Sequence, residues 1–335
     1  MAGSAALRFA QPTPAWLGFG LACVVIANTG FEFGAVFNNA MLPDIVEPEC
    51  LGSLSGWAWA LGYSGGLAAL GLALVAFIRP EQPPLGLDRN LVEHVRIVGP
   101  LAALWLALFS LPLFFFTPDR PSSGAGIGQA VRCGLRELRE SFAELGNNRS
   151  LAMFLLAHMI YADGLFALGG VYAAGVFGFS LGEVVTFGIV LNMAAGAGAF
   201  AFAWLDDRIG SKPTIIAALT GLIGASILAV TTASLDLFWL AGVGIGLFVG
   251  PVQAASRSLM ARLAPADRRA ACFGLFALSG RATAFLGPAI VALATSASGS
   301  QRMGLATIIG LFAIGLILIL PVKEPRGKPR AAARA

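Results

Sequence analysis

The sequence predicts an all-α polytopic membrane protein with about nine transmembrane helices. Of 335 residues, 57% are hydrophobic and only 12% are charged, against roughly a quarter charged in an ordinary soluble domain. A water-soluble fold of this size needs more polar surface than 40 charged side chains supply, whereas a bilayer accepts apolar surface on the outside of a fold. The apolar residues also fall into nine long runs, each near the roughly 20 residues that a helix needs to cross a hydrocarbon core of about 30 Å. Transmembrane barrels would instead show alternating segments of about ten residues. Finally, the basic residues are divided unequally between alternate loops, as topology demands of a multi-pass chain. A soluble globular enzyme is excluded. The net charge of +4 does not argue for nucleic acid, because the basic residues are scattered in short loops and one tail and form no stripe with interleaved aromatic residues.

Taken in order, the runs cover residues 15–42, 55–78, 97–116, 151–177, 182–205, 213–232, 237–256, 271–294 and 304–322. Nine spans put the termini on opposite sides. The N-terminal tail and the loops after the second, fourth, sixth and eighth spans hold five Lys or Arg residues, and the other side holds sixteen, with Arg281 inside the eighth span. The positive-inside rule therefore places the C-terminus in the cytoplasm and the N-terminus outside. Arg8 before an apolar run also suits a signal peptide, but this run continues through Glu32 and Asn38, with no small-residue cleavage site. An outside N-terminus without a signal suggests that an odd number of helices is missing upstream.

The longest interruption, 118–150, separates a three-helix part (1–117) from a six-helix part (151–322), and a basic tail follows at 323–335. Pro121, Ser122, Ser123 and Gly124 make the first part of this linker flexible. Val131, Leu135, Leu138, Phe142 and Leu145 recur at spacings of four and three. They predict an amphipathic helix on the membrane face or against helix ends. Six plus six helices joined by a long cytoplasmic loop is the major facilitator architecture, so three plus six suggests a bundle of that type with half of its first part absent. Glycines at 62, 65 and 66, at 196 and 198, and at 242, 244, 246 and 250 let helix backbones approach closely. Close packing and sliding during alternating access both use such faces.

Polar groups inside the spans are few, and each needs a partner, a cavity or a function, since a mid-bilayer charge costs about 2.5–3.5 kcal/mol. Asn28, Glu32 and Asn39 fall within about 40° of one another on a helix of about 100° per residue. This stripe suits a cavity where Glu32 binds a cationic group or carries a proton, a buried hydrogen-bonded cluster, or an ion pair with Arg281. His158 and Tyr161 share a face of the fourth span, and Asp163 points elsewhere, just before Gly164. Asp163 suits substrate or proton chemistry and a structural pair alike; His158 alone reads as a satisfied core residue. Arg281 suits either a counter-charge for Asp163 or Glu32, or an anchor for a substrate carboxylate or phosphate.

Four dispersed cysteines and two histidines give no metal or disulfide pattern, so no metal and no cofactor are expected. No Ser or Cys nucleophile has a base, and no glycine-rich run ends in GKS or GKT, so catalysis is not expected either.

The turn between the fifth and sixth spans reads Asp206-Asp207-Arg208-Ile209-Gly210-Ser211-Lys212. Gly210 permits a tight turn, Asp207 is expected to cap the following helix, and Arg208 and Lys212 stay on the positive face. The run resembles the D-R-x-G-[RK]-[RK] signature of major facilitator cytoplasmic loops. It departs from that signature at Ala203, where the family has glycine, and at Ser211, where it has a basic residue. Three longer runs are more particular: Phe31-Glu32-Phe33 through Val36-Phe37-Asn38-Asn39-Ala40 to Leu42-Pro43; Gly56-Trp57-Ala58-Trp59-Ala60-Leu61-Gly62-Tyr63 with Gly65-Gly66; and Gly250-Pro251-Val252-Gln253-Ala254-Ala255-Ser256-Arg257-Ser258, continuing to Gly287-Pro288. Together they resemble the vacuole-effluxer-like branch of the major facilitators, also called the unknown major facilitator family. The resemblance spans nearly the whole chain and leaves the family's first three helices without a counterpart. It implies a central path lined by Glu32 and Asn39, then His158 and Tyr161, then Gln253, with a cytoplasmic gate at Asp207, Arg208, Gly210, Lys212 and Arg257. The implied activity is secondary transport of a small polar solute, most simply amino-acid efflux by alternating access, with a proton as coupling ion through Glu32 or Asp163. A non-transporting remnant, or a membrane scaffold or sensor, is the competing expectation. Richness in Ala, Gly, Leu and Arg points to a bacterial cytoplasmic membrane.

Overall fold

A computed structural model of the chain describes residues 1–117, 124, 126–162 and 164–325, with 127, 144 and 164–168 described by backbone alone. Among the described residues every regular element is helical. The α-helices are α1 (Ala2–Ala6), α2 (Leu17–Ile45), α3 (Leu51–Ala73), α4 (Glu93–Arg96), α5 (Val98–Phe116), α6 (Ile127–Glu144), α7 (Arg149–Tyr161), α8 (Gly164–Phe177), α9 (Leu181–Ile209), α10 (Ser211–Thr231), α11 (Leu235–Leu263), α12 (Arg269–Ala282), α13 (Leu286–Ser298) and α14 (Gln301–Ile319). Eight helical segments are long and apolar enough to cross a bilayer: Pro14–Ile45, Pro48–Ile78, Glu93–Phe116, Leu181–Ile209, Ser211–Thr231, Leu235–Leu263, Arg269–Ser298 and Gln301–Ile319.

Two expected spans differ in detail. The run 151–177 is expected as one helix but forms α7 and α8, of 13 and 14 residues. At 1.5 Å per residue each reaches only about 20 Å, so neither crosses alone. The break falls next to Gly164, a poor helix former. The eighth span bends between α12 and α13, where Thr283 leaves helical geometry. Pro288 has no N–H to give the carbonyl of Ala284, and the Thr283 hydroxyl instead bonds the carbonyl of Met159 on α7.

The helices group into two compact units. One comprises Met1–Asn38 and Gly65–Ala125. In it α1 lies against α2 and α5: a Cβ on Gly3 would meet the Cys23 carbonyl oxygen at 2.8 Å, and one on Gly99 would meet the Ser4 carbonyl oxygen at 2.5 Å.

The other unit comprises Asn39–Ser64 and Gly126–Ala335, and it holds the densest packing. Its centre is the parallel pair α9 and α11, flanked by α10, with α14 against α7, α10 and α13. Two glycines on α11 bring α9 to backbone contact. A Cβ at Gly246 would sit 2.5 Å from the Leu191 carbonyl oxygen and 2.9 Å from Ala194 Cβ, and Gly250 meets Ala195 just as closely. In lipid, where apolar side chains gain little by leaving the solvent, such close backbone approach supplies the association energy. The amphipathic helix expected after the linker forms as α6 and packs on α12. Ser141 is buried, while Val131, Leu135 and Phe142 stay exposed.

Replacing Gly246 by Ala should therefore overpack the α9/α11 seam and cost about 1–3 kcal/mol, seen as a lower melting temperature of the purified protein in detergent. Gly224→Ala, at a position with open space around it, should not lower it. Equal effects at both positions would contradict this packing account.

Candidate functional site

At the end of the second unit where α9 turns into α10, the chain places two adjacent carboxylates in the last helical turn. That position opposes the helix dipole, so both need partners. Asp206 is buried and accepts hydrogen bonds from the hydroxyls of Ser211 (2.7 Å) and Ser258 (2.6 Å). The Arg262 guanidinium lies 3.3 Å away. Asp207 accepts the backbone N–H groups of Gly52 (2.8 Å) and Ser53 (3.1 Å) and the Ser53 hydroxyl. It therefore caps the N-terminus of α3, not that of the following helix as expected. The physical reason is that α9 remains helical through Ile209, which holds Asp207 on a helix face toward α3. Gly52 has to be glycine here, since a Cβ would sit 2.6 Å from Asp206 Cβ and 2.7 Å from Asp207 Oδ1.

The N-terminus of α10 is capped from a distance by Glu324, which accepts the N–H groups of Ser211 (2.8 Å) and Lys212 (2.9 Å). Gly210, at φ +100°, makes the turn and leaves room for that carboxylate, 2.8 Å from where a Cβ would be. Lys212 Nζ donates to the Leu320 carbonyl at the end of α14 (2.6 Å). Arg262, largely buried, bonds Glu324 at 2.7 Å and stands 4.0 Å from Asp207. One guanidinium thus serves three carboxylates. Of the expected gate residues, Asp207, Gly210 and Lys212 meet in this knot, while Arg208 is exposed and takes no part in these bonds.

A second polar cluster lies farther along α3 and α11. Arg257 is only 8% exposed. Its Nε donates to the Ser55 hydroxyl (2.9 Å), one terminal nitrogen to the Ser55 carbonyl (2.7 Å) and the other to Asn39 Oδ1 (3.4 Å). Ser55 passes its own proton to the Ala254 carbonyl (2.7 Å). The guanidinium carbon stands 6.0 Å over the ring of Trp59. One turn earlier on α11, Gln253 Oε1 accepts the Tyr63 hydroxyl at 2.7 Å, and Tyr63 lies 5.7 Å from the Trp59 ring. The structure thus brings together Asn39, Gln253 and Arg257.

The other expected path residues make no bond in this cluster. His158 Nδ1 lies 2.8 Å from the Ser279 hydroxyl, which donates to the Phe276 carbonyl, so the imidazole is the donor. Its ring stacks on Phe276 at 4.1 Å. Tyr161 is buried and donates to Ser256 (2.8 Å), whose own proton goes to the Val252 carbonyl. Both residues pin α7 to its neighbours. Asn28, exposed, and Glu32, half-buried, belong to the first unit. Arg281 is exposed in the last turn of α12, near the middle of the segment Arg269–Ser298 as expected, and Asp163 lies outside the described residues.

Ser55, Trp59, Asp206, Ser258, Arg262 and Glu324 were not singled out from the sequence. The available signal for Asp206 was its place beside Asp207, since a pair of carboxylates ending an apolar helix demands basic or N–H partners nearby.

These helices, small-residue seams and polar knots at helix ends define a multi-pass helical membrane protein. The model of the vacuole effluxer Atg22-like family matches residues 1–332, and the chain belongs to that family. It is 22% identical over 333 residues to an uncharacterized MFS-type transporter, YxiO, of Bacillus subtilis (strain 168), covering 97% of this chain and 75% of that protein. It is 25% identical over 304 residues to Autophagy-related protein 22 of Cryptococcus neoformans var. neoformans serotype D (strain JEC21), covering 83% of this chain and 51% of that protein. The chain thus spans about half the length of that fungal relative. Among solved structures, the human organic anion transporter MFSD10 (TETRAN) superposes with a TM-score of 0.68 at 19% identity, covering 95% of this chain and 75% of that one. The E. coli fucose:proton symporter FucP gives 0.64 at 13% identity, covering 96% and 81%.

Arg262→Met should leave Asp206 and Glu324 facing each other with their shared cation gone. A cost of about 3–5 kcal/mol is expected for breaking such a pair, measured by denaturation in detergent. Arg208→Gln, on the exposed side of the same turn, should change stability by less than about 0.5 kcal/mol.

Proposed function

We propose that the chain is a secondary transporter that moves small polar solutes, amino acids foremost, by alternating access across a bacterial cytoplasmic membrane in the direction of efflux. The observation that carries this reading is the contrast between two kinds of helix seam. The α9/α11 seam sets glycines against carbonyls at Gly246 and Gly250 and carries its polar links, Asp206 with Ser258 and Arg262, only at one end. The contacts of Asn39–Ser64 with α9 and α11 include one such glycine approach, Gly56 to the Ala199 carbonyl, but carry hydrogen bonds along their length: Asp207 on the α3 N-terminus, Arg257 on Ser55 and Asn39, and Tyr63 on Gln253. Those charged groups exchange protein partners for water at a net cost of about 1.5–3 kcal/mol per bond. A seam that water can replace bond by bond suits a gate that opens and recloses.

Within this reading, Asp207, Gly210, Lys212 and Arg257 act at the cytoplasmic gate, with Arg208 at its exposed edge. Asn39 and Gln253 belong to the path in the second unit, and Asn28 and Glu32 are the path residues assigned to the first. His158 and Tyr161 position α7, and Asp163 and Arg281 complete the polar set. A proton is the proposed coupling ion, carried by Glu32.

The test is uptake and counterflow of radiolabelled amino acids in liposomes holding the purified 335-residue chain, beside a Glu32→Gln variant. Saturable flux with counterflow is expected, and the variant should lower proton-driven uptake by about tenfold or more, as loss of one charged interaction would. Absence of flux from protein that melts cooperatively would favour the scaffold reading of the same fold.

A further inference from the structure

We infer that Arg257, with Trp59, Gln253 and Asn39, forms a receptor for a carboxylate group on the solute. The proposal rests on the transport reading for the fate of that solute, but its binding chemistry stands separately.

Two ladders of residues face each other across the second unit. On α11, Gln253 and Arg257 are one turn apart, and on α3, Ser55, Trp59 and Tyr63 follow at the same spacing, so each set occupies one helix face. The rungs are Arg257 with Ser55, Arg257 with Trp59, and Gln253 with Tyr63. Asn39 of α2 closes one side.

The donors and acceptors in this cluster do not balance. A guanidinium carries five N–H groups. Three of Arg257's contacts are to neutral oxygens, one of them long at 3.4 Å. Among the described residues no carboxylate lies within salt-bridge reach of it. The Trp59 indole N–H is screened from solvent and has no hydrogen-bond partner. Gln253 spends its amide oxygen on Tyr63, which leaves its NH2 group to donate. The cluster thus holds a buried cation and several idle N–H donors, with nothing anionic to receive them. Leaving such groups unsatisfied is expensive where there is no water.

Arg262, five residues later on the same helix, shows that this chain can surround a buried arginine with acid. It stands within 4.0 Å of Asp206, Asp207 and Glu324. The acceptor missing at Arg257 is therefore one that a ligand brings. Its chemistry follows from the donor set. One guanidinium supplies one positive charge in a planar fork that matches two coplanar oxygens. The indole N–H and the carboxamide are neutral donors. A carboxylate fits this set, whereas a doubly charged phosphate would leave one charge uncompensated.

The experiment measures binding to the purified chain in detergent, by calorimetry and by melting temperature. The probes are L-alanine, L-phenylalanine, L-glutamine and acetate, each beside its amide: L-alaninamide, L-phenylalaninamide, L-glutaminamide and acetamide. At least one acid should bind saturably and raise the melting temperature, and its amide should not do so at ten times the concentration. Trp59→Phe keeps a ring and removes only the N–H. It should weaken binding about tenfold, the worth of one hydrogen bond to a charged group. Arg257→Lys keeps the charge but loses the fork and should weaken binding at least as much. The melting temperature without ligand shows that each variant is folded. Equal binding of acids and amides would overturn the proposal, as would unchanged affinity in Trp59→Phe, or no binding of any acid by protein that melts cooperatively. Carboxylate binding with this dependence but no flux in liposomes would sink the transport reading and leave the receptor standing. Flux indifferent to both substitutions would do the reverse.

Discussion

Arg262 is the group on which the second unit's organisation depends. Its guanidinium joins Glu324, beyond the end of α14, to Asp206 at the end of α9. Each of those carboxylates serves a further element: Asp206 holds Ser258 on α11, and Glu324 caps α10. Asp207, at the edge of the same cation, caps α3. Five segments distant in sequence therefore share one charge balance. In lipid this economy matters, because the first N–H groups of each helix have no intrahelical acceptor and must find one at the membrane boundary. Supplying caps from other helices turns a local requirement into a tertiary contact.

The same logic separates what is fixed from what can part. Glycine seams are strong because their backbones touch, and a single methyl group prevents the approach. They are also all-or-none, since no solvent can fill a gap between two apolar helix faces at small cost. Polar links between helix ends behave differently. Asp207 on the α3 N-terminus loses little when water replaces the N–H groups of Gly52 and Ser53, provided that the separation opens toward solvent. Along α9/α11 the glycine approaches at Gly246 and Gly250 give way to polar links only at Asp206, whereas Asn39–Ser64 combines the close approach of Gly56 with replaceable bonds from end to end.

The helical character and most of the spans were legible because length and apolarity alone decide whether a segment crosses a bilayer. The amphipathic α6 was legible from the spacing of Val131, Leu135, Leu138 and Phe142. Interruptions were harder. The run 151–177 is apolar throughout apart from a few residues, and hydropathy does not record that α7 ends at Tyr161. The turn at Gly210 was visible in its residues, but the partner of Asp207 was not. A carboxylate in sequence range of one helix N-terminus was closer in space to another, 155 residues away. Glu324 was concealed differently: it sits among basic tail residues that read as a topology signal. Periodicity tells which residues share a face, and does not tell what that face meets.

Arg257 and Arg262 make this limit concrete. Both are arginines in the last third of α11, five residues apart, and both entered the positive-inside count as equivalent charges. Five residues rotate a side chain by about 140°, so the two face different neighbours. One meets Asp206, Asp207 and Glu324, which neutralise it within the chain and bind it into the architecture. The other meets a hydroxyl, a carbonyl, an amide oxygen and an indole face, which orient the guanidinium without neutralising it. An oriented, uncompensated cation is costly to bury, and that cost falls when an anion arrives. The energy released on occupancy is available for binding, which places the demand for an anion in the fold before any ligand is present.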